Sequence, residues 1–253
     1  MNATSQAVLF DLDGVISDTA SVHARAWATV FNNALKARNL ADRPFDEERD
    51  YLLHVDGKTR QAGIEGFLAS RDIVLPLGDA DAEGLDTVNG IGNVKNAVFR
   101  DLVARSGVTI FDDARRLIAK LRAAGFALGL ASSSKNARMI LETAGMIDNF
   151  SMIMDGLVAE RDGVRSKPSP DFYRHAAMRF ERKPADCVVV EDAISGIVSA
   201  SQAGVGLIIG VARRDNVAAL LASGADLVVV SLDELTIDAL RRTAVPPSRT
   251  ATR

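Results

Sequence analysis

Short runs of consecutive apolar residues recur along the chain at 6–10, 126–131, 151–155, 187–190, 206–209 and 227–230. They are too short for buried helices and suit strands covered on both faces. Between most of them the apolar residues return with helical period, over 112–123, 135–144, 170–181, 193–203 and 213–222. Strands alternating with helices predict an α/β fold with a doubly wound parallel sheet. Such sheets bind ligands at the carboxyl ends of their strands. Polar residues stand at three of those ends: Asp11 after the first run, Ser132 after the second, and Glu191 with Asp192 after 187–190.

The alternation fails between about residues 18 and 106. That stretch reads as helical over 20–37, 46–53, 58–69 and 95–105, with no matching series of strands. It predicts a second, helical domain (18–106) inserted over the sheet edge of a core built from 1–17 and 107–245. Residues 71–94 are rich in Gly, Asp and Pro and predict an irregular connection. The polar tail 246–253 lacks periodicity and predicts disorder. Gly90-Ile91-Gly92 puts Lys95 where a dinucleotide fingerprint needs its third glycine, with no strand before it, so it is weak evidence for a nucleotide site.

Composition narrows the function classes. The 253 residues are 47% hydrophobic and 25% charged, enough for one large domain or two unequal ones. A net charge of −3 without a long basic run leaves out the phosphate-tracking stripe of a nucleic-acid binder. The one cysteine, Cys187, lies in an apolar run and reads as a buried, inert thiol. No signal-peptide pattern opens the chain and no apolar stretch approaches membrane-spanning length, so a cytoplasmic location without membrane partners is expected.

The chemistry starts at Asp11-Leu12-Asp13-Gly14. Side chains alternate along a strand, so the two carboxylates start out on one side. Like charges that close cost energy unless a cation or a proton lies between them. A Mg²⁺ ion and a phosphoryl group would make the pair useful, because aspartate is a nucleophile toward phosphorus. The alternative is a plain turn after a strand. Lys167 precedes Pro168, which restrains it to an extended conformation and aims it; otherwise it is a surface lysine. Glu191 and Asp192 directly follow three valines, a poor place for two charges without a cation, and their hard oxygens suit Mg²⁺.

Asp11-Leu12-Asp13-Gly14, Ser132, Lys167-Pro168 and Glu191-Asp192, in this order on an α/β frame, resemble the four motifs of the haloacid-dehalogenase-like phosphotransferases. The resemblance covers nearly the whole chain. The helical insertion looks like that family's α-helical cap, in the subgroup that includes β-phosphoglucomutase. The resemblance implies that Asp11 is the nucleophile and a metal ligand. It implies that Asp13 is the general acid/base, with its backbone carbonyl on the metal. Ser132 and Lys167 would hold the transferring phosphoryl group, Ser132 alternatively capping a helix. Asp192 would contact Mg²⁺, and Glu191 directly or through water.

The same resemblance places substrate residues in the cap. Arg60 matches the arginine that binds the second, non-transferring phosphate, a job that suits a guanidinium fork. Ser134, Lys135 and Asn136 match core residues that hold that phosphate. Lys95, followed by Asn96, would face the sugar. Thr19, His23 and Trp27 match the hinge and first cap helix. His23 and Trp27 at helical spacing could equally be packing, and Arg60 a solvated charge. His54 and His175 read as structural. Two departures stand out: Asp112-Asp113, where relatives often have Pro-Gly, is expected to alter only the local turn. Gly63, where a serine is usual, is expected to remove one polar contact.

Two phosphate sites imply a mutase interconverting β-glucose 1-phosphate and glucose 6-phosphate on a monomer. The runner-up is a phosphatase for a sugar phosphate or similar small ester. A dehalogenase would have no use for Asp13, and a phosphonate hydrolase would want a lysine by the reacting carbonyl. A binding module with a relic site would be expected to have lost one motif residue, and none is missing.

Overall fold

The structure, a computed structural model, describes residues 7–56, 58–213 and 215–241. Six parallel strands form one sheet: β1 (Ala7–Phe10), β2 (Ala127–Ala131), β3 (Met152–Met154), β4 (Cys187–Glu191), β5 (Leu207–Val211) and β6 (Leu227–Val229). Their order is β3-β2-β1-β4-β5-β6, so the chain reverses direction across the sheet at β1 and β4. That reversal opens a crevice at the carboxyl ends of these two strands. β1 pairs with β2 and β4, Ala7 standing opposite Ala127 on β2 and Cys187 on β4.

Alternation along the strands builds two apolar layers. Val8, Phe10, Val188 and Val190 pack on one face with Leu117 and Leu121 of α4 (Asp112–Ala123) and Ile140 of α5 (Ala137–Thr143). Leu9, Cys187 and Val189 pack on the other with Phe172 and Ala176 of α7 (Asp171–Arg179) and Ile197 of α8 (Ile194–Ala203). Each completely buried aliphatic side chain contributes about 1.5–3 kcal/mol by leaving water. Burial also pushes the Cys187 thiol up to about 12, so the thiolate is suppressed at neutral pH.

The strands and helices expected in the sheet domain are all present, with shifted ends. Glu191 closes β4 instead of following it, and β5 runs on to Val211. The helix expected over 213–222 is α9 (Val217–Ala222). Two short helices have too few residues to show a period: α6 (Gly156–Arg161), capped by Asp155 Oδ1 accepting from the Val158 N–H at 2.9 Å, and α10 (Ile237–Arg241). The tail 246–253 lies outside the described residues.

The inserted segment carries α1 (Ala20–Lys36), α2 (Arg60–Ala69) and α3 (Val88–Ser106). They enclose a third apolar cluster around Phe31, Phe67, Ile64 and Ile91. The helix expected over 46–53 is replaced by a π-helical turn, Tyr51–Val55, entered from the buried Asp50. Asp50 pairs with Arg71 at 2.5 Å, and the guanidinium also lies 4.7 Å from the Phe67 ring. Residues 88–94, expected to be irregular, form the first turns of α3. Thr87 Oγ1 starts that helix by accepting from the Gly90 N–H at 3.0 Å. Gly90 and Gly92 hid it from the sequence, and both are needed for close packing. A Cβ on Gly92 would lie 2.8 Å from Arg60 Cδ, and one on Gly90 would lie 2.8 Å from Gly84 O.

Two linkers join insertion and sheet. The Asp18 N–H donates to Thr109 O and the Phe111 N–H to Ile16 O, each at 2.9 Å. The paired linkers hold the insertion over the carboxyl ends of β1 and β4. No helix among the described residues is long and apolar enough to cross a membrane.

Candidate active site

Asp11 leaves β1 with its N–H donating to Val190 O at 2.9 Å, which fixes it at the reversal point. Lys167 reaches it from the loop before α7, where the Lys167–Pro168 peptide is cis. Its Nζ donates to Asp11 Oδ1 at 2.7 Å, Glu191 Oε1 at 2.6 Å and Ala131 O at 3.1 Å. The ammonium also lies near the rings of Phe172 and Tyr173. Burial alone would lower the Lys167 pKa, but the Asp11 and Glu191 carboxylates outweigh it and raise the pKa well above the ordinary lysine value. Lys167 is therefore favoured as a buried cation.

Glu191 has every oxygen occupied. Oε1 accepts from Lys167 and from the Tyr173 hydroxyl at 3.0 Å, and Oε2 accepts from the Asp192 and Ala193 N–H groups, each at 3.0 Å. It thus anchors the turn that presents Asp192. Gly196 has to be glycine because the Glu191 carboxylate fills the space of a Cβ. Nothing in the motif spacing identified Tyr173 or Gly196.

The carboxylates around Lys167 exceed its charge. Burial raises the Asp11 pKa to about 8, with Lys167 opposing and Glu191 and Asp13 adding to the rise. Burial, then Asp56, Glu191, Asp11 and Asp13, raise that of Asp192 well above the carboxylate range. Asp11, Glu191 and Asp192 offer oxygens within 4.8 Å of one another. Hard, anionic donors crowded in this way fit a small divalent cation, which would relieve the repulsion.

The Asp13 side chain turns instead toward the insertion. The Thr19 hydroxyl donates to Asp13 Oδ1 and also lies 2.8 Å from Ser17 Oγ. Thr19 precedes α1 yet leaves the helix uncapped, because its hydroxyl is spent on Asp13. Burial raises the Asp13 pKa, against the Thr19 hydrogen bond and the charges of Lys95 and Lys167.

His23 and Lys95 meet above Asp13. Lys95 Nζ lies 2.5 Å from His23 Nδ1, and His23 stacks on Phe99 with centroids 4.0 Å apart. The Lys95 ammonium lies 4.8 Å from the Trp27 ring and 4.7 Å from that of Phe99. Burial, Lys95 and Arg60 hold the His23 pKa well below its ordinary value, so the ring is neutral. Burial and Arg60 also depress Lys95, with Asp13 opposing. With Nδ1 facing the lysine, the ring proton is assigned to Nε2. Nε2 has no hydrogen-bond partner and lies 3.7 Å from Asp13 Oδ2.

Further out, Asn96 links the two layers. Its Oδ1 accepts from Arg60 Nη2 at 3.0 Å and from Asn136 Nδ2 at 2.9 Å. Ser132 is buried and accepts from the Ser134 N–H at 3.1 Å, while Asn136, not Ser132, immediately precedes α5. Ser134 Oγ accepts from the Asn136 N–H at 3.2 Å. Lys135 donates to both oxygens of Glu160 at 2.7 Å. Gly63 lies against Val55, where a Cβ would sit 3.5 Å from Val55 Cα, and does not bound the cavity.

One cavity between insertion and sheet is bounded by every residue expected at the site except Thr19, Lys167 and Glu191, which contact Asp13, Asp11 and Lys167 respectively without entering the lining. Asp56, Lys58 and Thr59 also bound it and had no signal in the sequence beyond their closeness to Arg60. His175, read as structural, pairs with Asp162 at 2.9 Å and does not bound the cavity.

The model of the haloacid dehalogenase-like hydrolases matches residues 6–204. A β-phosphoglucomutase of Mycobacterium bovis is 38% identical over 240 residues, covering 91% of each chain. The crystal structure of β-phosphoglucomutase from Clostridium difficile is similar with a TM-score of 0.74 at 25% identity, covering 95% of this chain and 97% of that one. CbbY from Rhodobacter sphaeroides, solved in complex with xylulose 1,5-bisphosphate, is similar with a TM-score of 0.71 at 25% identity, covering 94% of this chain and 99% of that one.

Proposed function

Because the chain belongs to the haloacid dehalogenase-like hydrolase family, we propose that it transfers phosphoryl groups through an aspartyl-phosphate on Asp11, as a β-phosphoglucomutase. The supporting observation is that one cavity is bounded both by Asp11 and Ser132 and by Arg60, Ser134, Lys135 and Asn136, with Arg60 and Asn136 joined through the Asn96 side chain. We read the first pair as the transfer site and the second group as a second phosphate site. A mutase needs both, since its bisphosphate intermediate must present each phosphate in turn.

In this reading an Asp11 carboxylate oxygen bonds to phosphorus as the ester P–O bond breaks. Asp13 gives its proton to the departing sugar oxygen, and takes one from the accepting hydroxyl in the second half-reaction. A raised Asp13 pKa keeps a proton available for the first step. Thr19 fixes the orientation of its carboxyl group. Lys167 and Ser132 stabilise the charge on the group in transfer, and Arg60 with Ser134, Lys135 and Asn136 holds the other phosphate. Lys95, His23 and Trp27 face the sugar. Mg²⁺ held by Asp11, Asp192 and the Asp13 carbonyl, with Glu191 behind them, would supply positive charge to the phosphoryl oxygens. The segment 18–106 is proposed to act as a cap that closes over the substrate and excludes water.

A second reading is hydrolysis of a sugar phosphate. One observation favours it: Lys135 is already paired with both oxygens of Glu160, which competes with a second phosphate. The test is incubation with Mg²⁺, β-glucose 1-phosphate and a trace of glucose 1,6-bisphosphate, following glucose 6-phosphate and free phosphate together. Glucose 6-phosphate well ahead of free phosphate, from the β anomer and not the α, supports the mutase. Free phosphate alone makes the protein a phosphatase.

A further inference from the structure

Asp113 occupies a position where the sequence suggested only a changed turn, yet it is buried and accepts hydrogen bonds from two distant segments as well as from its own helix. Arg213, just after β5, donates Nη1 to Asp113 Oδ2 at 2.7 Å and Nη2 to Oδ1 at 2.9 Å. The Leu232 N–H donates to Oδ2 at 2.9 Å and the Ser231 hydroxyl at 3.1 Å, and the Ala114 N–H donates to Oδ1 at 2.8 Å. The same guanidinium reaches the loop that carries Asp13. Nε donates to Gly14 O and Nη2 to Val15 O, each at 3.3 Å. Its other face lies 4.1 Å from the Phe111 ring, and the Phe111 N–H donates to Ile16 O. One side chain thus touches both linkers of the insertion.

Gly14 is the sensitive point. Its φ is +86°, and the Asp192 carboxylate fills the space that a Cβ would take. Moving the Gly14 peptide therefore moves the Asp13 backbone and the wall against Asp192 together. We propose that the Asp113–Arg213 pair is a clasp that positions the 13–15 loop, with Arg213 acting on Asp13 and Asp192 through the Gly14 and Val15 carbonyls. Two neutral carbonyls at 3.3 Å hold a flexible arginine weakly; a bidentate carboxylate at 2.7 Å fixes its fork and leaves Nε and Nη2 aimed at the loop. The clasp depends on the proposed function only for the roles of Asp13 and Asp192.

The test uses the full chain with Asp113→Asn, Arg213→Lys and the double variant. Three quantities are read: Mg²⁺ affinity by isothermal titration calorimetry, kcat and KM for an aryl phosphate, and the thermal midpoint. A clasp raises the Mg²⁺ Kd and lowers kcat by about 10–100-fold, as loss of a ligand-orienting contact does. KM changes by less than about twofold, because no substrate contact is removed. The double variant is no worse than the weaker single one, since both break the same link. Variants that unfold earlier but keep wild-type kcat and Mg²⁺ affinity overturn the proposal and leave the pair a fold contact. If Asp113→Asn fails to fold, Arg213→Lys decides alone. If the wild type hydrolyses no aryl phosphate, kcat and KM are read on β-glucose 1-phosphate with a trace of glucose 1,6-bisphosphate; if that is inert as well, the activity reading has failed on its own ground, and Mg²⁺ affinity still decides the clasp.

Discussion

Asn136 on the sheet domain donates to Asn96 on the insertion at 2.9 Å, and the same Asn96 oxygen accepts from Arg60 at 3.0 Å. A single carbonyl oxygen therefore joins the two layers beside the proposed second-phosphate site. Asn96→Ala removes this acceptor without touching Asp11 or Asp13. The expected result is looser closure: more free phosphate relative to glucose 6-phosphate, and a rise of several-fold in KM, as for loss of a hydrogen bond to a charged group. Following both products in one assay checks it, and an unchanged ratio would remove Asn96 from the closing contact.

Lys167 is the cation that Asp11 and Glu191 share among the described residues. Lys167→Met leaves two buried carboxylates without it. Breaking a buried pair in this way costs about 3–5 kcal/mol, so the thermal midpoint falls and turnover is lost. The raised Lys167 pKa fixes the sign of the pH effect. The stabilisation is present in full below about pH 10, the ordinary lysine value, and is lost as pH rises through the higher folded value. Wild-type and variant stabilities should therefore differ throughout neutral pH, and a variant as stable as wild type at pH 7 would contradict the pairing.

Asp13 is held by Thr19 and flanked by His23, and its carboxyl has a raised pKa. An acid of this kind matters only when the leaving group needs a proton. Asp13→Ala should slow sugar-phosphate turnover by about 10²–10⁴-fold. Hydrolysis of p-nitrophenyl phosphate, whose phenolate leaves unaided, should fall much less. Equal losses on the two substrates would show that Asp13 supports the loop rather than moving a proton.

Much of this arrangement was legible in the sequence because it is local. Buried parallel strands are continuous apolar runs, and Asp11, Ser132, Glu191 and Asp192 sit at their ends, so strand and site were read together. Pairings across the fold were not legible. Asn96 and Asn136 belong to different layers, and Glu160 meets Lys135 only because the short helix α6 follows β3. The start of α3 was hidden by Gly90 and Gly92, which lower helix propensity yet serve close packing. Asp113 looked like a turn residue because its partner, Arg213, follows β5 and lies 100 positions further along the chain.

Asp113 also sets an acid limit on stability. Its pKa is lowered to about 2: burial opposes this, and the Arg213, Leu232 and Ser231 hydrogen bonds prevail. A depressed carboxyl contributes stability that is complete above its unfolded value, about 3.9, and is lost as pH falls through the folded value. Wild type should therefore lose this contribution between about pH 4 and pH 2, whereas Asp113→Asn should start less stable and show a shallower acid limb. Urea midpoints measured from pH 2 to 7 check it; parallel curves for the two proteins would contradict it.

Glu160 offers a separate handle on substrate choice. It binds both of its oxygens to Lys135 at 2.7 Å, yet it is largely exposed, so it competes with any phosphate that needs that lysine. An exposed pair of this kind is worth about 0.2–1 kcal/mol, which corresponds to a factor of up to about five in affinity. Glu160→Gln should release Lys135 and lower KM for glucose 1,6-bisphosphate by up to about that factor. KM for an aryl monophosphate, which has no second phosphate, should stay unchanged. The comparison separates a substrate-tuning acid from a plain surface ion pair. If Lys135 serves only to pin α6, the variant leaves both KM values unchanged and lowers the thermal midpoint instead.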